Sequence, residues 1–299
     1  MPVVSSCLQV SPRPRRVALF VTCLVDLFRP SVGFAAVKLL EDAGCTVEVP
    51  PLQVCCGQPA YNSGDRADDA RHRRARSSTP SRASTPWSAP SGSCGGMLTH
   101  HYPGLFDDDP AMKARAEDLA GRSYELMAFL VDVLGVTTVA ARYDGVVTYH
   151  DSCSGLRELG VKQQPRRLLA IGRRACGCAR CRRRKSAAAS AAPSASNIRK
   201  SPTPWSARRS ADIAAAGADT LLAGDLGCLM NMAGKLQRAG QRGARCAMSP
   251  KCWPAWRDAP PIGEPEASSA DAIDRPRLQA TMSTRALADP QPAGFARPS

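Results

Sequence analysis

No run of about 20 apolar residues occurs in this chain of 299 residues, so nothing in it reads as a membrane-spanning helix. A secretory leader is not expected either. Residues 13–16 are basic and residues 17–25 apolar, but Asp26 and Arg29 close the run early and no small-residue cleavage site follows. That run is expected to be a buried strand leading into a helix, in a protein of the cytoplasm. Also lacking is the cysteine layout of a small disulfide-stapled domain. The 13 cysteines are either adjacent, as Cys55 and Cys56 are, or widely scattered. Reduced thiols that bind a metal suit this pattern better.

Acidic residues are missing from two segments. Residues 71–88 hold five arginines and residues 171–210 hold eleven lysines and arginines, with no acid in either. Removing those sixteen charges takes the net charge from +14 to −2. The basicity therefore belongs to two odd segments, and nucleic acid is not an expected partner of the protein as a whole.

What is present is an internal repeat. The run Val17 to Thr22 ends in Cys23, and the run Val146 to Ser152 ends in Cys153, 130 residues later. Ala89-Pro90-Ser91-Gly92-Ser93-Cys94 parallels Ala223-Gly224-Asp225-Leu226-Gly227-Cys228, with 134 residues between the two cysteines. Each pattern predicts strand, tight turn, cysteine and helix start. A helical pattern over residues 34–43 is followed by a strand pattern over residues 46–49. Such alternation predicts an α/β fold of two pseudo-repeated cysteine-rich domains with mainly parallel sheets. The first is expected over residues 12–138 and the second over 139–257, with a disordered tail over 258–299.

The first repeat contains Cys55-Cys56-Gly57, and the repeat distance calls for a second such motif near residues 185–190. Alanines and serines stand there instead. A shift of the codon frame, with suitable degenerate bases, lets residues 186–202 encode Cys-Cys-Gly, with the cysteines at Ala187 and Ala188. Residues 76–88 and 245–256 likewise yield patterned, less basic sequence in a shifted frame, the latter as an amphipathic helix. The alternative is a set of genuine low-complexity insertions, which their Ser, Ala, Pro and Arg content allows. On the frame-error reading the second domain is disrupted at residues 171–210. Cys176, Cys178 and Cys181 are then accidental, as are Cys246 and Cys252. Cys45 reads as a plain core thiol, and Cys7 lies near the chain end.

Cys23, Cys55, Cys56 and Cys94 come from three separate turns of one repeat. Soft thiolates select iron–sulfur clusters, zinc or copper(I) over hard cations. Adjacent cysteines meet one small ion only with strain but can reach different irons of a cluster, and Gly57 lets the backbone turn beside them. Spacing alone leaves zinc open. A zinc-stabilised basic nucleic-acid-binding protein, built on Cys176 to Cys181 and the arginine runs, is the contrasting reading.

Several motifs resemble the cysteine-rich domain of the lactate-utilisation protein A family: Cys23 with residues 24–30, Cys55-Cys56-Gly57 with residues 58–64, and residues 90–94. So do residues 149–153 with 156–160, and Gly224 to Met230. The same domain occurs in the cysteine-rich subunit of heterodisulfide reductase and in the iron–sulfur subunit of glycolate oxidase, which are the near alternatives. The resemblance implies an iron–sulfur cluster, of 4Fe-4S type, and electron transfer. It implies Cys23, Cys55, Cys56 and Cys94 as metal ligands, with Cys153 and Cys228 as the remains of a second cofactor-binding set. It also implies partners, namely other subunits of a lactate-oxidising complex including a cluster-bearing protein. Nothing in the chain marks a lactate pocket or a flavin site, so an electron-relay subunit is expected and not a complete enzyme. One departure stands out: Met97 follows Cys94 where the domain often has a second cysteine, leaving a fourth position open or filled by the thioether. His150, beside Cys153, reads as a structural histidine.

Overall fold

A computed structural model describes residues 16–50, 53–65, 85–139, 147–172, 220–238, 245–248 and 262. The apolar run forms strand β1 (Arg16–Leu19), in which Val17, Ala18 and Leu19 are all buried. A strand that is apolar on both faces belongs inside a parallel sheet, and β1 takes that place. β2 (Thr46–Glu48) lies on one side of it and β3 (Trp87–Ala89) on the other, and β4 (Ser123–Glu125) extends the sheet past β3. All pairings are parallel, with Val17 opposite Val47, Ala18 opposite Trp87, and Trp87 opposite Ser123.

Helices α1 (Cys23–Phe28) and α2 (Pro30–Asp42) connect β1 to β2. Pro30 presets the first turn of α2. Val32, Ala35, Ala36, Leu39 and Leu40 then recur at helical spacing and are buried. α2 stops at Gly44, whose φ of +85° favours glycine. α3 (Gln58–Ser63) follows β2, and α4 (Gly92–Gly96) follows β3 and runs on through a wide turn at Met97–His101. α5 (Pro110–Gly121) is capped by Asp109, whose carboxylate accepts from the Met112 N–H. α6 (Leu126–Ala128) follows β4 and continues through Phe129–Val133.

The second sheet holds β5 (Val147–His150), β6 (Thr220–Ala223) and β7 (Arg245–Met248), in that order and parallel throughout. α7 (Cys153–Arg157) and α8 (Gln163–Gly172) follow β5, and α9 (Leu226–Arg238) follows β6. The α/β class with parallel sheets is therefore as the alternation predicts. Two strands fall where a frame error is suspected in the sequence. β3 includes Trp87 and Ser88 as written, because Trp87 buries its ring beside Ala18 and Phe20. Residues 245–248 form a strand and not the start of a helix; Met248 is buried among Leu221, Leu226 and Leu229. The other suspect residues, 76–84, 173–210 and 249–256, lie outside the described residues, as do Cys7, Cys176, Cys178, Cys181 and Cys252 and the tail at 263–299.

The two sheets share their cores. Val25 and Val32 of the first repeat pack among Leu221, Leu229, Met232 and Leu236 of the second. In return Val161 and Leu168 complete the cluster of Leu19, Leu39, Leu40, Leu126 and Phe129 over the first sheet. Burying a side chain of this size contributes roughly 2 kcal/mol, so each repeat depends on apolar surface lent by the other.

Candidate metal centre

Four of the described cysteines sit at the first turn of a helix that follows a parallel strand. Cys23 opens α1 after β1, Cys94 lies in α4 after β3, Cys153 opens α7 after β5, and Cys228 lies in α9 after β6. The carboxyl end of a parallel sheet is where such folds bind ligands. Cys23 is held by its neighbour Thr22, a buried residue whose Oγ1 accepts from the Val25 N–H at 3.3 Å.

Cys55 and Cys56 lie in an irregular segment, and two side chains fix it. The amide of Gln53 substitutes for a neighbouring strand. Its Oε1 accepts from the Val21 N–H at 2.8 Å, and its Nε2 donates to the Leu19 carbonyl at 2.7 Å. The fully buried Tyr102 donates its hydroxyl to the Cys56 carbonyl at 2.9 Å. Gly57 then turns the chain with φ 83° and ψ −1°, a left-handed conformation, and α3 begins. Neither Gln53 nor Tyr102 stands out in the sequence as a site residue. The one signal is the place of Gln53, two residues before the cysteine pair and on no periodic face.

The result is a thiol basin. Cys23 Sγ lies 3.6 Å from Cys55 Sγ. The Cys56 thiol hydrogen-bonds with those of Cys55 and Cys94. Cys56 is 3% exposed and Cys94 7%, on a floor of Phe20, Trp87, Met97 and Leu98, whereas Cys23 and Cys55 are half-buried at its mouth. The hydrogen bond with Cys55, burial and the nearby thiols hold the Cys23 thiol protonated. Hydrogen bonds with Cys55 and Cys94, together with burial, do the same for Cys56. Crowded thiolates repel one another, and only a cation among them reverses that balance. Cys45 is buried in the opposite cluster, as a core thiol should be.

Cys153 and Cys228 also meet. The Cys228 thiol donates to Cys153, which with the Ser154 N–H lowers the Cys153 pKa to about 6, and burial opposes this. The hydrogen bond to Cys153 and burial push Cys228 up. Ala187 and Ala188 lie outside the described residues. His150 is buried at the end of β5, opposite Ala223.

Among the described residues, no three His, Cys, Asp or Glu side chains close around one point as a mononuclear ion needs. The first basin offers soft thiolates spread over three turns. That donor set fits a polynuclear iron–sulfur cluster, whose separate irons take separate cysteines. Met97, 1% exposed, packs into the floor with Cys56 and Cys94.

Residues 17–99 match the CCG family of cysteine-rich domains. The chain is 39% identical over 238 residues to Lactate utilization protein A of Bacillus cytotoxicus, covering 76% of this chain and 94% of that protein. It is 41% identical over 229 residues to the Macrococcus caseolyticus protein of the same name, covering 75% of this chain and 91% of the relative. The Oceanobacillus iheyensis Lactate utilization protein A is 39% identical over 237 residues, again with 91% of its length covered.

Proposed function

Because the chain belongs to the lactate utilization protein A family, we propose that it binds an iron–sulfur cluster on Cys23, Cys55, Cys56 and Cys94 and relays electrons in the oxidation of L-lactate to pyruvate. The observation that carries this is the convergence of those four thiols from three turns of the first repeat. A 4Fe-4S cluster there would take up and give back single electrons. The chain's own residues supply the thiolates, hold their turns in place through Thr22, Gln53, Gly57 and Tyr102, and keep water from the inner pair. The half-buried Cys23 and Cys55 form the edge at which electrons enter or leave.

The protein is an oxidoreductase subunit that works with other proteins of a lactate-oxidising system, one of them cluster-bearing. Its two repeats, 12–138 and 139–257, each supply a site of the same plan, and Cys153 and Cys228 are what the second retains outside residues 171–210. Among the described residues no helix is long and apolar enough to cross a membrane, and reduced thiols suit the cytoplasm.

Anaerobic reconstitution of the full chain with ferrous iron and sulfide tests the assignment. A brown protein with one cluster per chain, losing it on substitution of Cys23 or Cys55, is the expected result. A colourless protein that takes zinc at the same thiols would overturn it. Reduction of the loaded protein by its partners with L-lactate, and not with glycolate, tests the substrate.

A further inference from the structure

We infer that Asp225, a residue of the second repeat, is the positioning residue for Cys94 of the first. The inference rests on the reading of Cys94 as a ligand of the first site and adds a residue that is not itself a thiol.

Asp225 is 3% exposed and immediately precedes α9. Its Oδ1 accepts from the Cys228 N–H at 3.0 Å, the ordinary bond of a helix cap to its own helix. Its Oδ2 turns to the other repeat. There it accepts from the Ser93 N–H at 2.9 Å and from the Ser91 hydroxyl at 3.2 Å. Ser91 occupies the capping position of α4 yet makes no capping bond of its own. The helix that carries Cys94 is therefore capped from 132 residues away, by the same carboxylate that caps the helix carrying Cys228.

The backbone supports this arrangement. The Gly92 N–H donates to the Gly224 carbonyl at 3.0 Å. A Cβ on Gly92 would come within 2.7 Å of Ser152 Oγ and 3.1 Å of the Gly155 backbone. The first turns of α4 and α7 are thus pressed together. Ser91 and Asp225 stand at equivalent positions of the repeat, 134 residues apart. One carries the carboxylate and the other a hydroxyl that donates to it. A charge-assisted bond of this kind is stronger than a neutral one, and through the Asp225 carboxylate the residue next to Cys94 is linked to Cys228.

The consequence is that the first thiol basin is not self-contained. Cys94 keeps its place only while β6 and α9 are folded beneath Asp225, even if the second site binds nothing.

The test uses the metal-free full chain and reads each cysteine separately, by the rate of alkylation with iodoacetamide followed by peptide mass spectrometry. In Asp225→Ala, Cys94 should react about tenfold faster, the factor set by loss of a charge-assisted bond, while Cys45 in the opposite cluster stays slow. Asp225→Asn keeps one acceptor oxygen and should fall between. The swap Ser91→Asp with Asp225→Ser restores the pair with the carboxylate on the other partner, and should return Cys94 to the wild-type rate. An unchanged Cys94 rate in a cooperatively melting Asp225→Ala or Asp225→Asn protein overturns the inference. So does a swap that restores the melt but leaves Cys94 fast, and so does a rise at Cys94 matched by an equal rise at Cys45. No iron enters this measurement, so failure of the cluster assignment would be seen separately in the reconstitution.

Discussion

Cys23 Sγ stands 3.6 Å from Cys55 Sγ, with 32 residues of chain between them. Neither side chain brings the other there. The contact exists because Gln53 ties the segment before Cys55 to the end of β1, where Cys23 is four residues beyond Leu19. A side-chain amide reproduces the donor and acceptor of a peptide group, so one glutamine replaces a strand pairing that the irregular backbone does not make.

Replacing Gln53 therefore has a graded effect. Gln53→Ala leaves the Val21 N–H and the Leu19 carbonyl to partly accessible water and should cost about 1–2 kcal/mol. Gln53→Glu keeps the acceptor for Val21 but sets a carboxylate oxygen against the Leu19 carbonyl. It should lower iron retention at least as far as the alanine variant. Urea unfolding of the metal-free protein and iron content after gel filtration check the two effects. Equal iron retention in Gln53→Glu and wild type would refute the clamp.

The thiols can be separated by single serine substitutions. Cys23→Ser, Cys55→Ser, Cys56→Ser and Cys94→Ser are each expected to lose more than roughly half of the iron bound at the first site, because a hydroxyl is a poor substitute for a soft thiolate. Cys45→Ser should bind as wild type does, since Cys45 lies in the cluster with Leu39, Leu40 and Phe129. Its cost should appear as lowered stability. Iron analysis and the melting temperature distinguish the two outcomes.

The plan of strand, turn, cysteine and helix is legible in the sequence because each part is local. Val17 to Leu19 and Leu221 to Ala223 are apolar runs too short for helices, and glycines or helix caps mark the turns after them. Cys23 and Cys94 are legible for the same reason, as motifs with a counterpart at the repeat distance, and Cys55 and Cys56 as an adjacent pair before Gly57. What joins them is not. Tyr102 reaches Cys56 over 46 residues and Asp225 reaches Ser93 over 132. Tyr102 lies outside the cysteine motifs and Asp225 reads as an ordinary turn residue within one, and only tertiary packing gives them these partners. The shared cores are hidden likewise, since Val161 and Leu168 look like the apolar face of their own repeat and are spent on the other. The strand at residues 245–248 is illegible because its arginine and cysteine look like part of a displaced frame.

Tyr102→Phe removes one hydroxyl and keeps the ring. The Cys56 carbonyl then loses its buried donor, which should cost about 1–3 kcal/mol, measured as a lower urea midpoint. Gly57→Ala should cost about 1–2 kcal/mol through its left-handed φ. Gly44→Ala is the control: its φ is also positive, at +85°, and no atom lies within 4 Å of the added Cβ. All three should lower the melting temperature, but only Tyr102→Phe and Gly57→Ala should also speed cluster loss, because only they act on the Cys55–Cys56 turn.

The stability of the fold should depend on pH through Glu125. Glu125 ends β4 and is fully buried, its Oε2 accepting from the Met127 and Ala128 N–H groups at 2.7 and 3.1 Å. Burial raises its pKa from 4.5 to about 7, against the lowering effect of those two bonds, with smaller upward contributions from Asp132 and Asp225. The folded state thus binds this proton more tightly than the unfolded chain does. Between pH 4.5 and about 7 the unfolded chain has lost the proton while the folded one keeps it, so stability falls as pH rises through that window and levels off above it. The contribution amounts to about 3 kcal/mol across the window. Glu125→Gln keeps an acceptor for the two N–H groups and cannot ionise. Urea unfolding of the metal-free protein from pH 4.5 to 8 should show the variant gaining on the wild type as pH rises, and near parity at the acid end. A difference between the two proteins that is independent of pH would show that Glu125 does not carry the proton.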